Sequence, residues 1–483
     1  MSTSSAADAP GDPDADAAPI PGRPGDPLRG RHVVLGVTGS VACYKAIEVT
    51  SRLVQAGAIV DVVLTRAATE FTTPLAFKAI TQRTPYVDMF DPAGPEGEAH
   101  VELARRAEVM LIAPATAATL ARLATGLAED FVTLTAIATT APVLIAPAMD
   151  SQMWEHAAVQ ANVVTLRARG AQFIGPVEGR LASGRVGSGR FVEPERIVDE
   201  VRARLGRDHG DLAGRAIVVT AGGTREAIDP VRYISNHSSG KMGYAIAEAA
   251  RDRGADVVIV TTVGLPAPAG VRTVSVSSAI EMQAAVRREC ANADALVMAA
   301  AVADYRPAAA AGQKLKKSEG TASATIELAE NPDIIGSTPT ATSRGTLVKV
   351  AFAAETQNLI ENAISKMASK GARLIVANDV TATDAGFGSD DNRVTILDDE
   401  GGRADLPLMT KYAVGYAILD RVRPLLGAPA RPRRVAPKAA ARPAARAIAK
   451  PAGKPAAKAT ARPAPRPAGK RTARPAAKAA RRG

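Results

Sequence analysis

Cysteine is nearly absent: Cys43 and Cys290 are the only two in 483 residues. Two thiols cannot build a disulfide framework, so the expected setting is a reducing, cytoplasmic one. No apolar leader is expected either, since residues 1–27 are rich in Ala, Asp, Pro and Gly and show no h-region. The nearest approach to a membrane span, 131–149, is uncharged for nineteen residues but holds Pro142 and Pro147. It reads as the end of a buried helix followed by a strand at 143–146, and no membrane contact is expected. Acidic residues vanish from one segment: 431–483 carries seventeen Lys and Arg and no Asp or Glu. The formal charge of +11 is therefore a property of that segment, and the remainder stands at −6. Its Lys/Arg-Pro-Ala units lack aromatics and nearly all large aliphatics, so they cannot bury a core and are expected to be disordered.

What is present is a long alternation of apolar runs and Ala/Leu-rich helical stretches. At 483 residues the chain exceeds a single core. Runs at 33–37, 60–64, 109–113 and 143–146 form one series. Those at 216–220, 257–261, 295–299, 347–352 and 374–377 form a second, after a charged, Gly-containing stretch at 204–214. The predicted class is α/β, with two tandem doubly wound (Rossmann-like) parallel-sheet domains plus a disordered basic C-terminal tail. The expected boundaries are 1–28 (disordered), 29–205, 206–427 and 428–483.

The densest chemistry lies at 222–243, GGTREAIDPVRYISNHSSGKMG, directly after an apolar strand. Gly-Gly, then Asp229, Arg225, Arg232, Asn236, His237, two serines and Lys241 precede a helix expected from about Met242. Backbone N–H groups, a helix N-terminus and cations in one loop suit a phosphate. It is not a P-loop, because Met242 follows Gly240-Lys241 and Ser235 stands where the first glycine would be. The stretch closely resembles the signature of phosphopantothenate–cysteine ligases. That resemblance implies CTP, 4'-phosphopantothenate and cysteine as substrates, with Asn236 stabilising an acyl-cytidylate and Lys314 serving the second half-reaction. It further implies nucleotide contacts from Met298, Ala299, Ala300, Asp304, Lys314, Pro332, Asp333, Ile334, Ile335, Phe352, Lys366 and Lys370, with Asn378-Asp379 and 386–388 completing the pattern. Spaced i,i+4, Lys366 and Lys370 equally suit a solvated helix face. Mg²⁺ is implied by the triphosphate, although no carboxylate cage is legible and the metal ligands stay unknown.

In the first series Gly36-Val-Thr-Gly39-Ser40 ends a strand and opens a helix, a geometry shared by phosphate sites and plain tight turns. Thr65-Arg66-Ala67, Pro114-Ala-Thr116 and Pro147-Ala148-Met149 follow the next three strands, and such loops converge on one crevice. Together they resemble the flavin-containing cysteine decarboxylases, the family of phosphopantothenoylcysteine decarboxylase. That implies FMN held by Gly39, Ser40, Thr65, Pro114, Thr116, Ala148 and Met149. It also implies a homo-oligomer, with His100 catalytic, although His100 would serve as well as an exposed helix-start histidine. Three positions depart from the pattern: Ala118 and Asp150 replace asparagines, and Ser183 replaces a proton-donating cysteine. A carboxylate at Asp150 would repel the substrate carboxylate, and the Ser183 hydroxyl is a far weaker acid than a thiol. Cys43, at a helix start, is expected to pack as a small hydrophobe.

The expected function is therefore ligation followed by weakened decarboxylation in coenzyme A synthesis. One rival is a ligase with a flavin domain kept as scaffold or regulator. The other is a nucleic-acid-associated protein led by a tail that resembles linker-histone tails and would bind DNA or other polyanions without base readout.

Overall fold

The computed structural model describes residues 23–89, 98–316, 325–355, 359–379 and 388–427. Residues 1–22 of the expected disordered start, the whole of 428–483, Lys317 and 386–387 lie outside the described residues.

The first sheet is built from β1 (His32–Val37), β2 (Ile59–Leu64), β3 (Val109–Ala115), β4 (Val143–Pro147) and β5 (Gln172–Phe173) in the order β2-β1-β3-β4-β5. Every pair is parallel. Its central strands read as continuous apolar runs because helices cover both faces. On one face Ala46, Val49 and Leu53 of helix Cys43–Gln55 pack on Val33, Leu35 and Leu111. On the other, Leu120, Leu123 and Val132 pack on Met110 and Ile112. A hairpin of β6 (Val177–Arg180) and β7 (Val186–Arg190) follows.

The second sheet has eight strands: β8 (Ala216–Ala221), β9 (Asp256–Thr261), β10 (Arg272–Ser275), β11 (Ala295–Met298), β12 (Val348–Glu355), β13 (Leu374–Asp379), β14 (Val394–Asp398) and β15 (Arg403–Asp405). Their order is β10-β9-β8-β11-β12-β13-β14-β15. The first six are parallel, and β14 and β15 add an antiparallel edge. The apolar-run reading found five of the eight. It missed Arg272–Ser275, which is mostly exposed, and the short terminal hairpin, whose polar residues alternate with buried ones.

The first part of the stretch 204–214, expected as a separator, is helical, because helix Pro194–His209 extends into it with Leu205 and Gly206 buried. A Cβ on Gly206 would lie 2.4 Å from the Asp252 carbonyl oxygen, so glycine is what lets that helix touch the turn after helix Lys241–Asp252. Beside this contact the buried guanidinium of Arg251 donates to Asp199 Oδ1 at 2.6 Å and to the Ala269 carbonyl at 3.0 Å. Arg23 reaches Glu248 and Asp252, and Tyr412 Oη donates to Asp252 at 2.9 Å. Charges placed so far from water require this degree of pairing.

Candidate functional site

Strand order reverses between β8 and β11, and the crevice beyond that point is where open α/β sheets take ligands. The loops leaving the two strands are sewn together there. Ala301 N–H donates to Gly222 O at 2.9 Å, and Thr224 N–H returns to Ala301 O at 3.2 Å. The hydroxyls of Thr220 and Thr224 accept from the N–H groups of Ala300 and Ala303, both at 3.0 Å. Gly222 takes φ +88°, and a side chain there would strike Thr262. Gly240, at φ +77°, caps helix Lys241–Asp252; the Lys241 N–H donates to Ser239 Oγ at 3.5 Å, and Met242 and Gly243 of the first turn lie beside the stretch Asn236–Ser239.

A cavity of about 810 Å³ opens at this point. It gathers Asn236, Met298, Ala299, Ala300, Asp304, Pro332, Asp333, Ile334, Ile335, Phe352, Lys366, Lys370 and Asn378 from segments up to 142 residues apart. Asn236 Nδ2 donates to Val302 O at 3.0 Å, which seats the 236–239 stretch on the loop after β11. Asp333 caps the one-turn helix Ile334–Ser337, and its carboxylate lies 3.8 Å from Lys370 Nζ. Lys366 and Lys370 thus border the cavity rather than a purely solvated face.

Three cations of the glycine loop point elsewhere. Arg225 lies over the Tyr233 ring, Arg232 pairs with Asp229, and Lys241 Nζ binds Asp390 Oδ1 at 2.7 Å. Arg232 chiefly, with backbone N–H donors, holds the Asp229 carboxyl well below the usual range. Lys314 is exposed and not among the cavity-lining residues. Its neighbour Leu315 is tethered on both sides, its N–H to Asp229 Oδ2 at 3.1 Å and its carbonyl to Arg232 at 3.0 Å.

Sequence reasoning missed Lys411, Asn331 and Asn392, all on the cavity wall. Lys411 is 6 % exposed, opens helix Lys411–Val422 after the Thr410 cap, and donates to the carbonyls of Ser389 and Asp391. Burial first, and then the nearby charge of Lys241, lower its pKa. A lysine in the first turn opposes the helix dipole, a signal that was legible in the sequence.

In the first half the reversal lies between β1 and β3. Thr38 Oγ1 donates to Pro114 O at 2.7 Å and accepts from Thr116 N–H at 3.1 Å, while Ala148 N–H reaches Ala115 O at 3.1 Å. Gly39 packs so tightly that a Cβ would stand 2.6 Å from Ala67 Cβ. Thr65 and Thr116 cap helices Arg66–Thr69 and Ala117–Thr125. Helix Cys43–Gln55 has no side-chain cap, and its Cys43 and Lys45 N–H groups donate to the carbonyls of Ser40 and Ala42, both at 3.0 Å. Tight glycine packing at loops that converge beyond the strand ends fits a flat cofactor. Cys43 is buried, donates to Thr38 O at 3.1 Å, and has its thiol pKa raised by burial, so it packs as expected.

His100 stands in helix Ala99–Arg106, partly buried, edge-on to Phe131 at 6.3 Å. Met149 N–H donates to Gly189 O at 3.0 Å, which brings β7 against the loop after β4. There Ser183 Oγ donates to Asp150 Oδ2 at 2.9 Å. That bond, with Gln152 N–H, lowers the Asp150 pKa. Ala118 lies in the first turn of helix Ala117–Thr125. Among the described residues no group of three His, Cys, Asp or Glu could hold a metal, and no helix is long and apolar enough to cross a membrane.

Residues 22–206 match the flavoprotein family, and residues 212–425 match the DNA/pantothenate metabolism flavoprotein C-terminal domain. The coenzyme A biosynthesis bifunctional protein CoaBC of Vibrio parahaemolyticus is 44% identical over 83% of this chain and 99% of its own length. Those of Bacillus subtilis and Escherichia coli are each 43% identical over 82% of this chain, covering 98% and 97% of theirs. Among solved structures, the C-terminal domain of a CoaBC protein is 39% identical over 45% of this chain and 98% of its own, with a TM-score of 0.38. A PPC decarboxylase mutant complexed with pantothenoylaminoethenethiol is 31% identical over 36% and 97%, with a TM-score of 0.33. With a flavoprotein half followed by a pantothenate-metabolism half, this chain belongs to the family of coenzyme A biosynthesis bifunctional proteins.

Proposed function

We propose that the second half joins 4'-phosphopantothenate to cysteine with CTP, and that the first half decarboxylates the 4'-phosphopantothenoylcysteine so formed. One observation carries the reading: a single cavity at the switch point collects amide, carboxylate and lysine groups with the backbone donors of a helix start. Carboxylate activation by CTP builds charge on phosphate, which such a site stabilises. Asn236 would face the acyl-cytidylate. Lys314, on its tethered segment, would serve amide formation from the rim. Mg²⁺ would arrive on the nucleotide phosphates.

In the first half FMN would be held by Gly39, Ser40, Thr65, Pro114, Thr116, Ala148 and Met149. When bound it supplies the two-electron chemistry that makes the substrate carboxylate a leaving group. His100 would handle the substrate proton, and the hairpin carrying Ser183 would cover the reacting end. Exposed Val41, Tyr44, Phe71 and Leu75 near the strand-end loops support a homo-oligomer. The cysteine count supports a cytoplasmic setting.

The bond between Asp150 and Ser183 favours a second reading, a ligase whose flavin half serves only as scaffold or regulator. Incubating the protein with phosphopantothenate, cysteine, CTP and Mg²⁺ separates the two. Pyrophosphate and carbon dioxide together support both activities, pyrophosphate alone supports the second reading, and neither product overturns both.

A further inference from the structure

Strand β12 sits inside the second sheet, between β11 and β13, and Val348, Val350, Ala351 and Ala353 are buried along it. Lys349 interrupts this apolar run at 3 % exposure, in register with Leu296. An ammonium group so far from water is strongly disfavoured unless its protons are taken up. Its Nζ donates to Ile335 O at 3.0 Å and to Thr338 O at 2.6 Å. These carbonyls stand at the end of helix Ile334–Ser337: Ile335 O also accepts from the Thr338 N–H at 3.4 Å, and Thr338 is the residue that caps the turn. Burial lowers the Lys349 pKa, while the charge of Asp333 opposes that shift.

The other end of the same segment is fastened as firmly. Asp333 accepts from Gly336 N–H at 3.1 Å, Asn331 Nδ2 donates to Ala303 O at 2.9 Å, and Asn331 N–H donates to Asp304 O at 2.8 Å. The middle of the segment, Pro332–Ile335, is a cavity wall. Lys349 lies behind that wall and does not itself line the cavity.

We infer that Lys349 is a positioning residue for the nucleotide: held by Ile335 and Thr338, it sets the depth of the Pro332–Ile335 wall and so the affinity for CTP. This role rests on the ligase reading above, and the test keeps the two apart. CTP-induced thermal shift and steady-state pyrophosphate release are measured for the full chain and for Lys349→Met, Lys349→Gln and Lys349→Arg. In Lys349→Met the KM for CTP should rise about tenfold, with kcat and the KM for cysteine within about twofold, because a displaced wall costs binding before chemistry. Lys349→Arg, which keeps charge and donors, should recover much of the loss. A merely structural lysine would lower the melting temperature and the active fraction while leaving KM alone. Unchanged CTP affinity, or an equal loss towards all three substrates, overturns the inference. Lys349→Gln gives the same decision if the methionine variant does not fold. A wild type that neither binds CTP nor releases pyrophosphate overturns the ligase reading and this role with it.

Discussion

Ser183 and Asp150 stand 33 positions apart, and both depart from the decarboxylase pattern that the sequence resembles. The structure joins them in one hydrogen bond, so the hydroxyl that would have to act as an acid is donated to a carboxylate held in its charged form. A serine bonded in this way is a poor proton donor at neutral pH. Ser183→Cys together with Asp150→Asn should therefore raise phosphopantetheine formation at least about tenfold over the wild type, since general acid catalysis contributes on that order or more. Mass spectrometry of the products decides. A wild type already forming phosphopantetheine at the double variant's rate would show the pair to be competent.

Elements carry two further expectations. The turn Asp229–Arg232 tethers the backbone at Leu315, and with it the segment bearing Lys314. Asp229→Asn should slow amide formation more than pyrophosphate release, as read in single-turnover assays. The carboxyl's folded-state pKa lies below its unfolded value of about 3.9, so its contribution to stability is present above that value and is lost as pH falls below it. Urea melts at about pH 5 and about pH 3 should show a shallower acid loss in Asp229→Asn than in the wild type. At the junction of helix Pro194–His209 with the Arg251–Gly254 turn, the expected sign reverses a common rule. Glycine to alanine inside a helix normally stabilises by about 1 kcal/mol. Gly206→Ala should instead destabilise by about 2 kcal/mol, because the new Cβ meets backbone carbonyls that cannot move aside. Thermal unfolding reads the difference, and an unchanged or raised melting temperature would show that the helices can separate without loss.

For the molecule as a whole, charge is divided between an acidic remainder and a basic end. Seventeen cations without acidic neighbours should bind polyanions through counterion release, with steep salt dependence and no sequence preference. Removing residues 428–483 should leave pyrophosphate release within about twofold and abolish salt-sensitive retention on DNA or heparin. Retention that survives truncation would place the basic surface elsewhere.

The sequence by itself determined the alternation of strands and helices, because buried parallel strands must be apolar along their length and the turns between them need glycine. It also determined which loops stand at strand ends, while the cavity walls from Met298, Pro332 and Phe352 were legible only through the resemblance to the ligases. Lys366 and Lys370 were ambiguous in sequence, since spacing on a helix does not say what the helix faces. Only the tertiary structure decided that they border the cavity. It also turned Arg232 and Lys241 to Asp229 and Asp390, bonded Ser183 to Asp150, and brought Lys411 to the cavity and Lys349 behind its wall. Each depends on contacts between residues far apart in the chain, and local patterning carries no information about which distant partner a long charged side chain will meet.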